Sequence, residues 1–302
     1  MEVSRQKNIF IITDIDIDGA MSYLLFSWFR KKHIPYISTR VNDLRKTLET
    51  WIKNGNLDRY EQVYILDLDC SQECMDLVDH EKITIIDHHD THFQKKHLYK
   101  KATTFIEHTT SCSKLIYKLL QSSLEDTITI EQKRLVLMVD DYDSYELKIP
   151  GSHEINTLFW NYQGDRLARF VVEFRDGFSG FNAEQKNIIS FYKRKIKRVI
   201  NDLNVFSADL PIDGHPVKFV STMATECIND VAHHIIHNNG ADVGIVVNPN
   251  SNKVSFRKNK QCTVNLSELA KRLASGGGHT TASGGIITET FLSFSKMFTD
   301  KK

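Results

Sequence analysis

Residues 8–19 read NIFIITDIDIDG, an apolar run that breaks into three carboxylates and then a glycine. The stretch decides the fold, because a short β-branched run ending in polar residues is how a buried parallel strand delivers a loop. The next residues, AMSYLLFSWFRKK, carry the apolar spacing of a helix. VYILDLD, QECMDLVD and ITIIDHH then repeat the rhythm. Strand and helix alternating in this way predict a parallel sheet with helices on both faces, the α/β class. In such sheets ligands bind beyond the carboxyl ends of the strands. Three acidic clusters fall there.

Beyond Pro150 and Gly151 a polar stretch dotted with aromatics runs past Gly177 and Gly180. AEQKNIISFYKRKIKRVINDL follows as one long helix. After it, VKFVST, DVGIVVNP and KVSFRK read as strands, with helical patterns at 226–237 and 266–274. The expected organisation is a catalytic domain over residues 1–180, a connecting helix over 181–207 and a smaller α/β domain over 208–302, with a cleft between the two domains. No repeat or low-complexity tract interrupts it.

The 302 residues are 41% hydrophobic and 25% charged, enough to bury a sizeable core. With 39 basic and 38 acidic residues the net charge is +1, so no global field attracts nucleic acid and phosphate contacts must come from local clusters. The apolar run after Asn8 is too short for a signal peptide or a membrane span, and a cytoplasmic protein without membrane contact is expected. Five cysteines without a CxxC pair form neither a disulfide framework nor a zinc site. They are read as reduced thiols, mostly buried.

Asp14, Asp16 and Asp18 in one turn would repel one another unless cations sit among them, and oxygen ligands at this density suit magnesium or manganese. A plainer reading has Asp18 capping the next helix. Asp67 and Asp69 end the strand VYIL; Asp87, His88, His89 and Asp90 end ITII. A lone strand-end Asp is often a turn residue, but recurrence at successive strand ends points to a site. Asp140, Asp141 and Asp143 form a fourth cluster. Several carboxylates with a His pair on one sheet edge are what a two-metal hydrolase needs.

The ordered set TDIDIDG, YILDLD, IDHHD and VDDYDSYE resembles the four motifs of the DHH phosphoesterases. Gly276-Gly277-Gly278-His279, with Ala282-Ser283-Gly284, is similar to that family's associated C-terminal domain, so the resemblance spans nearly the whole chain. It implies two divalent ions, manganese first with magnesium the alternative. Asp16 and Asp18 would bind separate ions, and Asp14 stands where many members place a His or Asp ligand. Asp67 matches the bridging carboxylate and is carried, with His89, as catalytic. His88 would bind one ion, while His89 would face the substrate phosphate or help position the nucleophile. The fourth-motif ligand is Asp143, with Asp141 its close competitor. Asp69 departs from the commoner small residue and is expected to support the ligands. Residues 109–113, TTSCS, resemble the stretch after the third motif in small oligonucleotide-degrading members and are read as hydroxyls capping a helix.

Three glycines before His279 let backbone N–H groups approach phosphate oxygens, where one would suffice as a helix stop. Arg257, directly after KVSF, stands where the resemblance implies an arginine gripping the substrate phosphate, and a guanidinium suits bidentate phosphate contact. The basic run Lys193, Arg194, Lys195, Lys197 and Arg198 is read as a solvated helix face, and His233, His234 and His237 as structural. Phe159, Trp160 and Tyr162 suit base stacking and packing equally.

The resemblance implies a metal-dependent exonuclease of the nanoRNase and oligoribonuclease branch, degrading short RNA oligonucleotides to mononucleotides. RecJ-like hydrolysis of single-stranded DNA, adenosine bisphosphate hydrolysis and (cyclic) dinucleotide hydrolysis share the same motifs. A nucleotide-binding sensor without turnover is the alternative of another class. The expected partner is a short single-stranded oligonucleotide or small nucleotide, and the sequence leaves room for a homodimer.

Overall fold

The computed structural model describes residues 7–124, 127–212 and 214–300. They divide into two compact units, Met1–Ile189 and Ser190–Lys302, and the division falls inside a single helix.

The first unit is built on five parallel strands: β1 (Ile9–Thr13), β2 (Tyr36–Ser38), β3 (Gln62–Leu66), β4 (Ile83–Asp87) and β5 (Thr103–Ile106), in the order β2-β1-β3-β4-β5. Every residue of β1 is buried, because helices cover both faces. Side chains alternate between two cores. Ile9, Ile11, Tyr64, Leu66 and Ile86 face α1 (Ile17–Arg30), α6 (Cys112–Leu124) and α7 (Ile130–Asp143). Phe10, Ile12, Val63, Ile65 and Ile85 face the other side, where α2 (Val41–Lys53) contributes Leu44, Leu48 and Trp51. Each such side chain contributes roughly 1.5–3 kcal/mol on burial.

α1 is the central helix: apart from Ser27 and Trp28 all its residues are buried, which is why its sequence is apolar nearly all round. Shorter helices complete the unit: α3 (Asn56–Arg59), α4 (Met75–Val78) and α5 (Asp90–Lys95). The stretch after Pro150, to which the sequence assigned no element, forms two helices, α8 (Ser152–Asn161) and α9 (Arg166–Glu173). Their buried residues, among them Ile155, Leu158, Phe159, Leu167 and Phe170, join the α1 core.

α10 (Ala183–Asn201) follows, and the second unit carries a mixed sheet of seven strands. These are β6 (Phe206–Ile212), β7 (His215–Met223), β8 (Val243–Asn248), β9 (Lys253–Lys258), β10 (Gly277–Gly278), β11 (Ala282–Ile286) and β12 (Thr299–Asp300), in the order β10-β11-β9-β8-β7-β6-β12. Only β7 and β8 pair in parallel, as their connection through α11 (Ile228–Asn239) requires. α12 (Leu266–Ala274) and α13 (Glu289–Ser295) cover the face holding Phe219, Ile245 and Phe256. Cys70, Cys74 and Cys112 are buried free thiols; Cys227 and Cys262 are partly covered. Among the described residues no helix is long and apolar enough to cross a membrane.

Candidate metal centre

The strand order reverses direction between β1 and β3, and the carboxyl ends at such a switch point open a crevice. The first cluster is placed there by local chemistry. Asp16, and not the Asp18 of the plainer capping reading, is the N-cap of α1: its Oδ1 accepts from Gly19 N at 2.9 Å, and Thr13 Oγ1 donates to Gly19 O at 2.9 Å. A Cβ on Gly19 would stand 2.5 Å from Asp14 O, so the tight turn holding the three carboxylates demands glycine. Asp67 leaves β3 in the left-handed region at φ 60, disfavoured for most residues but open to Asp, and its carboxylate is buried.

His88 is the hub. Its Nδ1 lies 3.4 Å from Thr109 O, an atom that only accepts, so the neutral tautomer chosen by this contact presents an Nε2 lone pair on the other side. Nε2 faces Asp67 Oδ1 at 3.3 Å, Asp143 Oδ2 at 3.7 Å and Asp18 Oδ2 at 3.9 Å. Asp18, His88 and Asp143 can bring ligand atoms within 4.8 Å of one another, as can Asp67, Asp87 and His89. Asp18 also accepts from Cys112 N at 2.7 Å and Ser113 N at 3.0 Å, the first amides of α6, so a helix N-terminus steadies its charge. The Ser111 hydroxyl caps that helix, accepting from Lys114 N at 3.1 Å.

Burial and the charges of Asp18 and Asp16 push the carboxyls of Asp67 and Asp143 well above the usual range. Burial, with Asp16 beside it, lifts Asp14 to about 8. Asp18 is raised by burial too. Two carboxylates about 4–5 Å apart repel by roughly 3–4 kcal/mol at an effective dielectric near 20. A lone pair and several buried carboxylates aimed at one space form a donor set suited to divalent cations with oxygen and imidazole ligands. The residues fit such ions.

Behind the hub lies a chain that sequence reasoning missed. Asp87 is fully buried and accepts from His89 Nδ1 at 2.7 Å and from His92 Nδ1 at 2.6 Å; His92 Nε2 meets Tyr99 OH at 2.7 Å. Burial works against charge on Asp87, but the two imidazoles outweigh it and hold the carboxyl well below its usual range. Burial likewise opposes the charge on His89, yet Asp87 prevails and raises it to about 10. The only signal for His92 was its position three residues after His89.

The competing acids are otherwise engaged. Asp69 accepts from Ser71 N at 2.9 Å, Ser71 Oγ at 2.6 Å and the Thr91 hydroxyl. Asp140 accepts from Ser111 Oγ at 2.9 Å and Lys114 Nζ at 2.8 Å, tying α7 to α6. Asp141 accepts from Lys148 N at 3.0 Å, Ile149 N at 2.9 Å and Ser152 Oγ at 2.6 Å. Asp143 is the acid of this cluster that faces His88.

In the second unit Arg257 pairs with Ala282 across β9 and β11, and Gly278 with Ser283 across β10 and β11, so arginine and glycine motif are close neighbours. Arg257 donates to Asn229 Oδ1 at 2.6 Å and Phe256 O at 2.8 Å. Gly277 and Gly278 form β10, the edge strand of the sheet. A Cβ on Gly276 would stand 1.9 Å from Gly284 O, and one on Gly278, at φ 133, 2.8 Å from Ala282 O. Gly277 has nothing within 4 Å of its Cβ position, so packing does not explain it. His279, half-buried, turns the ribbon through its N–H to Ala282 O at 2.8 Å.

His233 and His237 stack at 6.4 Å, and within this unit no three ligand groups gather among the described residues. Lys195 pairs with Glu226 at 2.7 Å on an otherwise exposed α10 face. Phe159 and Tyr162 are core; Trp160 is exposed beneath Arg166.

Residues 8–139 match the model of the DHH family, N-terminal domain, a stretch holding Asp14 through His89. No curated protein sequence matches the chain. Among solved structures, a DHH-domain protein described as a member of the s1p family of ribosomal proteins aligns at TM-score 0.64 and 15% identity, over 96% of this chain and 86% of that one. A pGpG-specific phosphodiesterase, PggH of Vibrio cholerae, aligns at TM-score 0.55 and 14% identity, over 95% and 96%. Manganese-bound exonuclease RecJ aligns at TM-score 0.53 and 13% identity, over 96% and 89%. At these identities the likeness is one of fold. The chain has the fold shared by these DHH-domain and RecJ-like proteins, and its residues 8–139 match the DHH family's N-terminal domain.

Proposed function

We propose that this protein is a two-metal-dependent phosphodiesterase that hydrolyses short RNA oligonucleotides to mononucleotides. The observation that carries the reading is the convergence of Asp67, Asp143 and Asp18 on His88 Nε2, within 3.3–3.9 Å. Asp18, Asp67, His88 and Asp143 would hold two divalent ions, manganese first and magnesium the alternative, with Asp14 and Asp16 completing the set and Asp67 shared. Bound there, such ions supply Lewis-acid stabilisation of charge on phosphoryl oxygens and lower the pKa of water.

The protein's own groups do the remaining work. Thr109 O fixes the His88 ring, and the amides of α6 fix Asp18. Asp87 orients His89 and favours its doubly protonated form, whose Nε2–H is a donor for a phosphoryl oxygen. In the second unit Arg257, the ribbon Gly276-Gly277-Gly278 and His279 are the proposed phosphate-binding groups. Gly277, bare of any packing reason for glycine, supports close approach of a ligand to its backbone.

A second reading, hydrolysis of linear dinucleotides, is favoured by the full-length likeness to a pGpG-specific phosphodiesterase. One assay separates the readings. End-labelled RNA of two to five nucleotides is run against longer RNA, single-stranded DNA, adenosine bisphosphate and cyclic dinucleotides, with manganese, magnesium or chelator. Metal-dependent conversion of the short RNA to mononucleotides is expected. Activity confined to dinucleotides selects the second reading, preference for long DNA a RecJ-like one, and metal binding without turnover a sensor.

A further inference from the structure

The carboxylate centre uses the N-terminal end of α1. At the C-terminal end, a helix length of roughly 20 Å away, lies a separate cavity of about 550 Å³. Tyr23, Trp28, Ile128 and Val171 give it an apolar, partly aromatic wall, and Lys31, Lys32 and Arg175 stand at its mouth. Among the described lining residues Asp176 is the one carboxylate, and it already pairs with Arg175 at 3.6 Å. Lys31 and Lys32 are exposed and make no ion pair among the described residues.

The wall is fixed from behind. Trp28 Nε1 donates to Arg175 O at 2.6 Å, and Tyr23 OH donates to Ile34 O at 2.9 Å. Lys31 occupies the left-handed cap of α1 at φ 53, a position that glycine fills more easily. A concave wall that offers the partly buried Trp28 as its aromatic side chain, with Lys31, Lys32 and Arg175 at the mouth and a volume in this range, suits a small amphipathic ligand.

We propose that this cavity is a second ligand site, separate from the carboxylate centre, for a small flat anion of the nucleoside monophosphate type. The ring lies against Trp28, and the phosphate is met by Lys31 and Lys32. The proposal does not depend on the catalytic reading.

Adenosine monophosphate titrated into the full chain under chelator, followed by calorimetry and tryptophan fluorescence, tests it. Saturable binding with quenching is expected. Trp28→Phe should reduce the quenching while binding persists. The double change Lys31→Glu with Lys32→Glu should weaken binding by at least about tenfold; neither side chain makes an ion pair among the described residues, so any fall in melting temperature reflects only the acids placed at the C-terminal end of α1. Asp67→Asn should leave binding unchanged, and inorganic phosphate alone should bind at least about tenfold more weakly, lacking the ring. Absence of saturable binding overturns the proposal. So does binding that Asp67→Asn removes and the lysine reversals leave intact, because the nucleotide then sits at the carboxylate centre.

Discussion

Asp141 and Asp143 stand two residues apart at the end of α7, and replacing each alone should give opposite results. Asp141→Ala removes the acceptor of two backbone amides and the Ser152 hydroxyl in a buried place. Hydrogen bonds to a charged group are worth about 1.5–3 kcal/mol each, so allowing for partial rehydration the loss is about 3–6 kcal/mol. For a unit of this size each kcal/mol moves the melting temperature by about 2–4 °C, which puts the fall at no less than about 6 °C. Asp143→Asn does the reverse. Asp143 and Asp18 bring ligand atoms within 4.8 Å of each other, where unit charges repel by up to about 3.5 kcal/mol at an effective dielectric near 20. Removing one charge leaves the chelated protein as stable as before, or more so. The assay is thermal unfolding with manganese and with chelator. Wild type at a thousandfold excess over Kd gains about 4 kcal/mol from an ion that binds only the folded state. Asp141→Ala should keep that gain from a lower baseline, and Asp143→Asn should lose most of it from an unchanged one. If Asp141→Ala loses the manganese shift at a normal baseline while Asp143→Asn keeps it, the two roles are inverted and the reasoning fails.

Gly276→Ala forces a Cβ onto Gly284 O and should destabilise the second unit by about 1–3 kcal/mol or more. Gly277→Ala meets nothing and should unfold as wild type does, so a rise in KM for short RNA would locate the substrate at the ribbon, and unchanged kinetics would remove it from there. His92→Gln should lower kcat by about tenfold to a hundredfold, because Asp87 loses one of its two imidazoles, with Tyr99→Phe milder; a fall in stability with kcat intact would make this chain structural. Burial, reinforced by the charges of Arg257 and His237, holds His233 down at about 4. Its folded value lies below the unfolded one, so its contribution is complete above about pH 6.5 and is lost as pH falls toward 4, at up to about 1.4 kcal/mol per pH unit. His233→Gln should flatten unfolding curves in that window, and an unaltered slope would assign the acid sensitivity to other groups.

The central strands were legible because a parallel strand buried on both faces must be apolar along its length. β1, β3 and β4 each end where a carboxylate begins, and the structure keeps those boundaries to within a residue. β2 and β5 escaped notice for the opposite reason. They are edge strands of three and four residues with half-exposed side chains, so neither an apolar run nor a clean alternation marks them. α8 and α9 were hidden by brevity. Over eight or ten residues a helix buries only a few apolar side chains, and the polar remainder sets the impression the sequence makes.

Side-chain assignment is harder to read than strand position, for a geometric reason. Asp140, Asp141 and Asp143 share one helix, where neighbouring positions point about 100° apart, and each carboxylate meets a different partner: α6, the amides before α8, and His88. Which acid faces the centre is fixed by how α7 docks on α6 and α1, and nothing in VDDYD encodes that angle. The glycine motif behaves in the same way. Gly276 and Gly277 are identical in sequence and opposite in environment, because the register of β10 on β11 presses one against a carbonyl and leaves the other bare. Residue type therefore narrows the chemistry of a site, while the contacts that distinguish one Asp or Gly from its neighbour arise only when separate elements pack.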